Sequence, residues 1–294
     1  MAGFLHIFVG LAYVLLALVM FSLNSLFLVT LMLSKEYRTS TYQVIKCLTT
    51  ACMMQSFVFG IGGVMTMAQS VFNYYLDKAL GALIQSAWLL YVGVALTLAV
   101  DRLLIFLCPR SADYRFVTTI LLSITWLLWI LLFVLLNLPG FGCTYGKNDI
   151  FLLWLYTDEN GSSVLIAVQP FVDLGAFIME FVIYLIIFAY LVKMKFSNST
   201  QLGSLKSEIK ILLSAMFAFI LEALSVIMAF WGPINDPKQN IAWDVALNAG
   251  WILECGLFVL LTLIVNGTLR RKVLDVIQRK KQSTVSSLSM NVVK

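Results

Sequence analysis

Apolar and polar positions alternate on a coarse scale along this chain. Seven long apolar runs are separated by short polar stretches: Ile7 to Leu33, Tyr42 to Met67, Gly81 to Leu107, Phe116 to Leu138, Val168 to Val192, Ile211 to Trp231 and Trp243 to Val265. A helix needs about 20 apolar residues to cross a hydrocarbon core of about 30 Å, and every run reaches that length. The third has no charged residue from Gly81 to Val100. Lipid offers the backbone no hydrogen-bonding partner, so runs of this kind are helical. The pattern predicts an all-α membrane protein, a seven-transmembrane helix bundle filling residues 1–282, with 283–294 as a disordered tail. The first run is too long for a cleaved signal and no basic stretch precedes it, so it reads as a retained signal anchor.

Finer features sit inside and between the runs. Asn24 interrupts the first, and Lys46 stands near the start of the second with a stem long enough to reach the interface. Gly60-Ile-Gly-Gly63 fits close helix packing. The longest connection, Pro139 to about Ile166, carries Cys143, Lys147, Asp149, Asp158 and Glu159. After the seventh run, apolar residues at 269, 273, 274, 276 and 277 recur at helical spacing opposite a basic face. That predicts a short amphipathic cytoplasmic helix lying on an anionic leaflet. Ser283, Thr284, Ser286, Ser287 and Ser289 beyond it are candidate kinase sites.

Composition agrees with the pattern. The chain is 61% hydrophobic and 12% charged, with mean hydropathy +0.94 over 294 residues, against about 25% charged for soluble domains. The single histidine, His6, excludes a His-ligated metal site and Ser-His-Asp chemistry; no metal and no cofactor is expected. Five cysteines lack CxxC spacing, and most fall within or at the end of apolar runs, so a disulfide framework is not expected. The net charge of +5 carries no nucleic-acid signal; its meaning lies in where the cations fall. Seventeen of the 20 Lys and Arg fall on the side of the 1–2, 3–4 and 5–6 connections and the tail, and three, Lys78, Lys147 and Lys238, on the other. The positive-inside rule therefore puts the N-terminus outside and the C-terminus in the cytoplasm. Of three Asn-x-Ser/Thr sequons, Asn160 then faces outward as the glycosylation candidate, while Asn198 and Asn266 face the cytosol.

An ionic pair where an apolar helix leaves the membrane is costly to keep, and Asp101-Arg102 closes the third run. Seven spans, an outside N-terminus and this pair together resemble the G-protein-coupled receptor plan. Tyr42-Gln-Val-Ile at the second helix, Leu98-Ala-Val-Asp-Arg102 at the third and Val265-Asn-Gly-Thr-Leu-Arg-Arg-Lys-Val273 after the seventh resemble the nematode serpentine chemoreceptors, in their class T or class X branches. The resemblance spans Ile7 to Ile277. It implies a chemosensory receptor in the neuronal plasma membrane or cilium, coupled to a heterotrimeric G protein, with an arrestin or kinase acting on the tail. It also implies that Asp101 holds Arg102 at rest, that Asn24 tethers neighbouring helices, and that Asn266 replaces the inner polar motif of the last helix. The chain departs from the rhodopsin-like pattern in several places. Leu103 follows the Arg in place of an aromatic residue, Cys143 has no cysteine partner at the outer end of the third helix, and Cys52 stands where a sodium-binding acid is usual. There is no Trp-x-Pro in the sixth helix and no Asn-Pro-x-x-Tyr in the seventh.

Acidic residues inside the runs point to a ligand site. Glu180, Glu222 and Glu254 fall near the bilayer midplane at 1.5 Å per residue, and Asp173 lies seven residues before Glu180 on the same face. No Lys or Arg shares that depth, so the carboxyls should turn inward, protonated, hydrogen-bonded or awaiting a cation. Together with Gln85, Trp88 and Trp251 they outline a pocket suited to an amine or other polar small molecule; carboxyls that merely stitch helices together are the plain alternative. Other functions have specific requirements. An opsin needs a lysine in the seventh run, which has none. A secondary transporter relaying protons through the three midplane carboxyls is the main alternative, although the halves show no similarity. A ligand-gated channel of inverted topology needs its N-terminus inside. A hydrolase would need paired catalytic groups in a setting that is missing here.

Overall fold

The computed structural model describes residues 2–107, 114–147, 150–197, 206–231 and 241–278. Seven membrane-length helices follow the apolar runs: α1 (Ala2–Leu33), α2 (Ser40–Ala68), α3 (Tyr74–Leu107), α4 (Tyr114–Asn137), α5 (Asn160–Ser197), α6 (Lys206–Trp231) and α7 (Ile241–Val265). A short helix, α8 (267–278), continues from α7 after a break at Asn266. Cys108, Asp149, Asn198, Gly232-Pro233, Lys238 and the Ser/Thr positions of the tail lie outside the described residues.

Lipid-facing and core-facing surfaces differ by helix. α3 is the central element, with Ile84, Leu90, Val94 and Ala99 fully buried, as expected of a helix surrounded by others. α4 lies at the periphery and presents Phe116, Leu127, Leu131 and Val134 outward, surface that would be costly in water and is matched to lipid. α1 packs closely on α2, where a Cβ on Gly63 would come within 2.8 Å of the Gly10 carbonyl oxygen. Small residues at that crossing let the backbones approach, as the glycine cluster predicts. Asn24, fully buried, donates to the carbonyls of Met20 at 2.8 Å and Cys255 at 2.9 Å, tying α1 to α7.

Every helix begins before its apolar run, α3 and α5 by the most, seven and eight residues. α3 starts at Tyr74, where the Asn73 side chain caps the first turn by accepting from the Tyr75 N–H at 2.8 Å. α5 starts at Asn160 and carries Pro170 in its interior. The departure from an all-helical chain lies between α4 and α5, where β1 (Cys143–Lys147) pairs antiparallel with β2 (Ile150–Tyr156), matching Tyr145 with Trp154. Cys143 and Tyr145 on one strand and Leu152 and Trp154 on the other turn inward and are nearly inaccessible, the two-residue period of a half-buried hairpin.

This hairpin caps the outer end of the bundle. Asp77 at the head of α3 fixes it, one carboxyl oxygen accepting from the Tyr145 N–H at 2.9 Å and the other from the Thr144 hydroxyl. Gly81, one turn further in, lets β1 lie flat on α3; a Cβ there would stand 2.0 Å from the Cys143 carbonyl oxygen. The Tyr145 hydroxyl meets that of Thr66 on α2 at 2.7 Å. Cys143 is a free thiol, so a carboxylate clamp and close packing hold this loop to the third helix. Burial raises the hydroxyl of Tyr145 well above the ordinary tyrosine range, consistent with a phenol that stays neutral and acts only as a hydrogen-bonding post.

At the opposite end, α8 buries Leu269 and Val273 against the bundle and leaves Leu274 and Ile277 about half exposed. An i, i+4 pair faces the protein and a second apolar edge faces the leaflet, the arrangement of an interfacial helix.

Candidate functional site

The sequence-predicted residues form two buried groups, one at the inner end of α3 and one around its middle. The inner group centres on Asp101 and Arg102, both with no accessible side-chain surface. Arg102 Nη2 donates to Asp101 Oδ2 at 2.7 Å and also to the Thr41 hydroxyl. Thr41 donates to the same carboxylate oxygen at 2.7 Å, and Thr118 donates to the other at 3.3 Å. The start of α2, the end of α3 and the start of α4 are thereby joined through a single carboxylate. A buried guanidinium is tolerable only when paired and hydrogen-bonded in this way. Thr41 and Thr118 were not singled out in the sequence; a hydroxyl at the first turn of a neighbouring helix gives no pattern of its own.

Asn266 occupies the break between α7 and α8. Its side-chain oxygen accepts from the Leu269 N–H at 3.3 Å, three residues on, while its carbonyl accepts from the Arg270 N–H at 3.0 Å. That is an N-cap for α8. The residue with an implied role in activation thus has a definite structural task, setting where the cytoplasmic helix begins.

The second group lies between α3, α5, α6 and α7. Trp88 Nε1 donates to Asp173 Oδ2 at 3.2 Å, and Gln169 reaches the same oxygen at 3.4 Å. The Tyr91 hydroxyl donates to Glu222 Oε2 at 3.1 Å. Trp88 stacks on Tyr91 and meets Trp251 edge-on, with centroids 5.9 and 5.5 Å apart. Trp251 in turn donates to Gln55 Oε1 at 2.9 Å. Gln85 lies one turn outward of Trp88, beside the Cys143 thiol under the hairpin. Asp173, Glu180 and Glu222 are all buried. Glu254 stands apart, half-buried beside Ser225.

Glu180 and Glu222 border a cavity of about 10 Å³, room for about one water, together with Tyr91, Tyr184, Leu98 and Phe219. One oxygen of each of Glu180, Glu222 and Glu254 is buried without a protein partner. Tyr184, one turn inward of Glu180, also lines the cavity, and Leu98 in that lining lies one turn outward of Arg102 on α3. Gln55 and Tyr91 were missed in the sequence. Tyr91 had a readable signal, since it follows Trp88 by three residues and shares its helix face. Among the described residues no group of three or more His, Cys, Asp or Glu is arranged to hold a metal. Asn160, the glycosylation candidate, is exposed at the start of α5.

Comparison with known proteins agrees with this architecture. The fold is that of a rhodopsin-like receptor: the crystal structure of squid rhodopsin superposes with a TM-score of 0.78, covering 94% of this chain and 86% of that one at 11% identity. A family model described as serpentine type 7TM GPCR chemoreceptor Srt matches residues 1–286. No curated protein sequence matches the chain. The chain belongs to the Srt family of seven-transmembrane chemoreceptors; it is a multi-pass membrane protein and a G-protein-coupled chemosensory receptor.

Proposed function

We propose that the receptor recognises a small polar or cationic molecule in the outer half of its bundle and signals by releasing Arg102 toward a heterotrimeric G protein. The observation that carries this reading is the set of buried, unpartnered carboxyl oxygens around a small cavity, at a depth where the sequence supplies no Lys or Arg. A ligand amine or hydroxyl would complete those hydrogen bonds, and leaving such groups unmade costs about 1–3 kcal/mol each. Asp173, Glu180 and Glu222 are the direct ligand candidates; Trp88, Trp251 and Gln85 form the aromatic and polar wall, and Glu254 contributes field. The cavity is water-sized in this conformation, so binding requires α5 and α6 to move outward. That movement displaces Tyr184, which lines the cavity beside Glu180, and Leu98, one turn outward of Arg102. Asp101 then holds Arg102 in the resting state, and its release opens the cytoplasmic face to the G protein's α-subunit.

The plasma membrane, including a sensory cilium, is the corresponding location, with residues 1–282 as receptor and the 283–294 tail as substrate for a kinase and docking segment for an arrestin. The test is agonist-stimulated nucleotide exchange on reconstituted receptor with a panel of amines and neutral polar compounds. Glu180→Gln, Glu222→Gln and Asp173→Asn should each lower agonist potency at least tenfold. Wild-type potency in Glu180→Gln and in Glu254→Gln would contradict the pocket.

A further inference from the structure

A second, quite different recess opens on the cytoplasmic side, away from both buried clusters. It has a volume of about 380 Å³ and lies between the 34–39 connection, the first turn of α2 and the start of α4. Lys35, Arg38 and Arg115 line it with their cations. Thr39, Ser40 and Thr119 add hydroxyls, and Gln43 an amide. The one acid in the lining, Glu36, is engaged by Lys272 of α8, whose ammonium also stands 5.0 Å over the Tyr37 ring. That bond raises the lysine above its ordinary range, so the cation persists at any physiological pH. Behind it, Lys46 donates to the Tyr37 carbonyl at 3.0 Å. The N-terminus of α2 opens at the same place. Thr39 is its N-cap, with an extended backbone and a hydroxyl that makes no capping bond, which leaves the positive end of the helix available to an anion.

Position identifies the kind of anion. Met32 and Leu33 end α1 beside the recess at 68% exposure each, and Phe116, next to Arg115, is 69% exposed. These side chains face acyl chains, and the basic wall begins at the level where headgroups begin. We infer that this groove binds the headgroup of an inner-leaflet phospholipid that carries phosphate monoesters, its chains running beside Met32, Leu33 and Phe116. Several cations and hydroxyls spread around a volume in the range of small-molecule sites suit a headgroup with more than one phosphate better than a single phosphodiester. The site is separate from the ligand cavity, and its occupancy would brace the α1–α2 turn against α4 beside the Thr41–Asp101–Thr118 network.

The test uses full-length receptor in phosphatidylcholine nanodiscs containing either a bisphosphorylated phosphatidylinositol or phosphatidylserine at matched total charge, with retained lipid counted by native mass spectrometry. The wild-type protein should retain the phosphoinositide in preference to phosphatidylserine. Lys35→Gln with Arg38→Gln should weaken that retention by about 25-fold, roughly fivefold for each cation near a membrane surface. Thr39→Ala, which leaves charge unchanged, should weaken it by a smaller but measurable factor. Arg270→Gln with Arg271→Gln on α8 should lower retention of both lipids alike and leave the preference intact. Equal retention of the two lipids by the wild type, or a preference abolished by the α8 pair and not by the groove variants, would overturn the site. Full competition by a free inositol polyphosphate at the lipid's own concentration would overturn the assignment to lipid and make a soluble phosphate ester the ligand.

Discussion

Two clusters of buried charge lie along α3, and they are completed in opposite ways. At the inner end, Asp101 is matched by Arg102 and by hydroxyls from two other helices, so its carboxylate is bonded on both oxygens. Toward the outer half, Asp173, Glu180 and Glu222 gather with no protein cation among them, and two of the three keep an unpartnered oxygen. In the function proposed above, the first acts as a latch that activation breaks, and the second as a site that the ligand completes.

Substitutions that remove one member of each cluster should therefore have unlike consequences. The largest effect is expected from Asp101→Ala, which leaves Arg102 buried without its counter-charge; loss of one partner of a buried pair costs about 3–5 kcal/mol. A drop in thermal stability of the purified protein should register it, whereas Glu180→Gln, which removes a charge with nothing to balance it, should leave the melting temperature unchanged or raise it. Equal destabilisation by the two would erase the contrast.

Next in size is Asp77→Ala. It removes both hydrogen bonds that fix β1 and should weaken the hairpin by about 1–3 kcal/mol, read as faster amide hydrogen exchange at Thr144 and Tyr145 with little change around Thr41. Smaller still is Asn266→Ala, where loss of the N-cap should cost α8 about 1 kcal/mol, visible as fraying of residues 267–270. Least of all should be Lys272→Gln, since exposed ion pairs contribute little and are screened by salt. Its effect on α8 exchange should disappear when ionic strength is raised.

The extent to which this molecule was readable from its sequence follows the same physics. Seven spans, the α8 helix and the paired Asp101-Arg102 were legible because lipid imposes one rule over 20 residues at a time, and the cations record orientation. Asn24 was legible as a polar residue in an otherwise apolar run. The early starts of α3 and α5 were not, since residues 74–80 and 160–167 project beyond the bilayer and are free to be polar or mixed; Asp77 looked like part of a loop. The hairpin was missed because its alternation is carried by only Cys143, Tyr145, Leu152 and Trp154 and is broken by a glycine. For the carboxyls, depth along each helix followed from counting residues, but their partners Trp88 and Tyr91 depend on how α3, α5 and α6 rotate against one another. Nothing local encodes that.

The most direct test of the latch is agonist-independent nucleotide exchange by Asp101→Asn receptor in nanodiscs with a panel of heterotrimeric G proteins. Asparagine keeps the shape and most hydrogen bonds of the side chain but removes the charge that holds Arg102. Basal exchange should rise above wild type, with the agonist response reduced in proportion because part of the activation has already occurred. Basal exchange equal to wild type, with a full agonist response, would contradict the central claim that Asp101 holds Arg102 at rest.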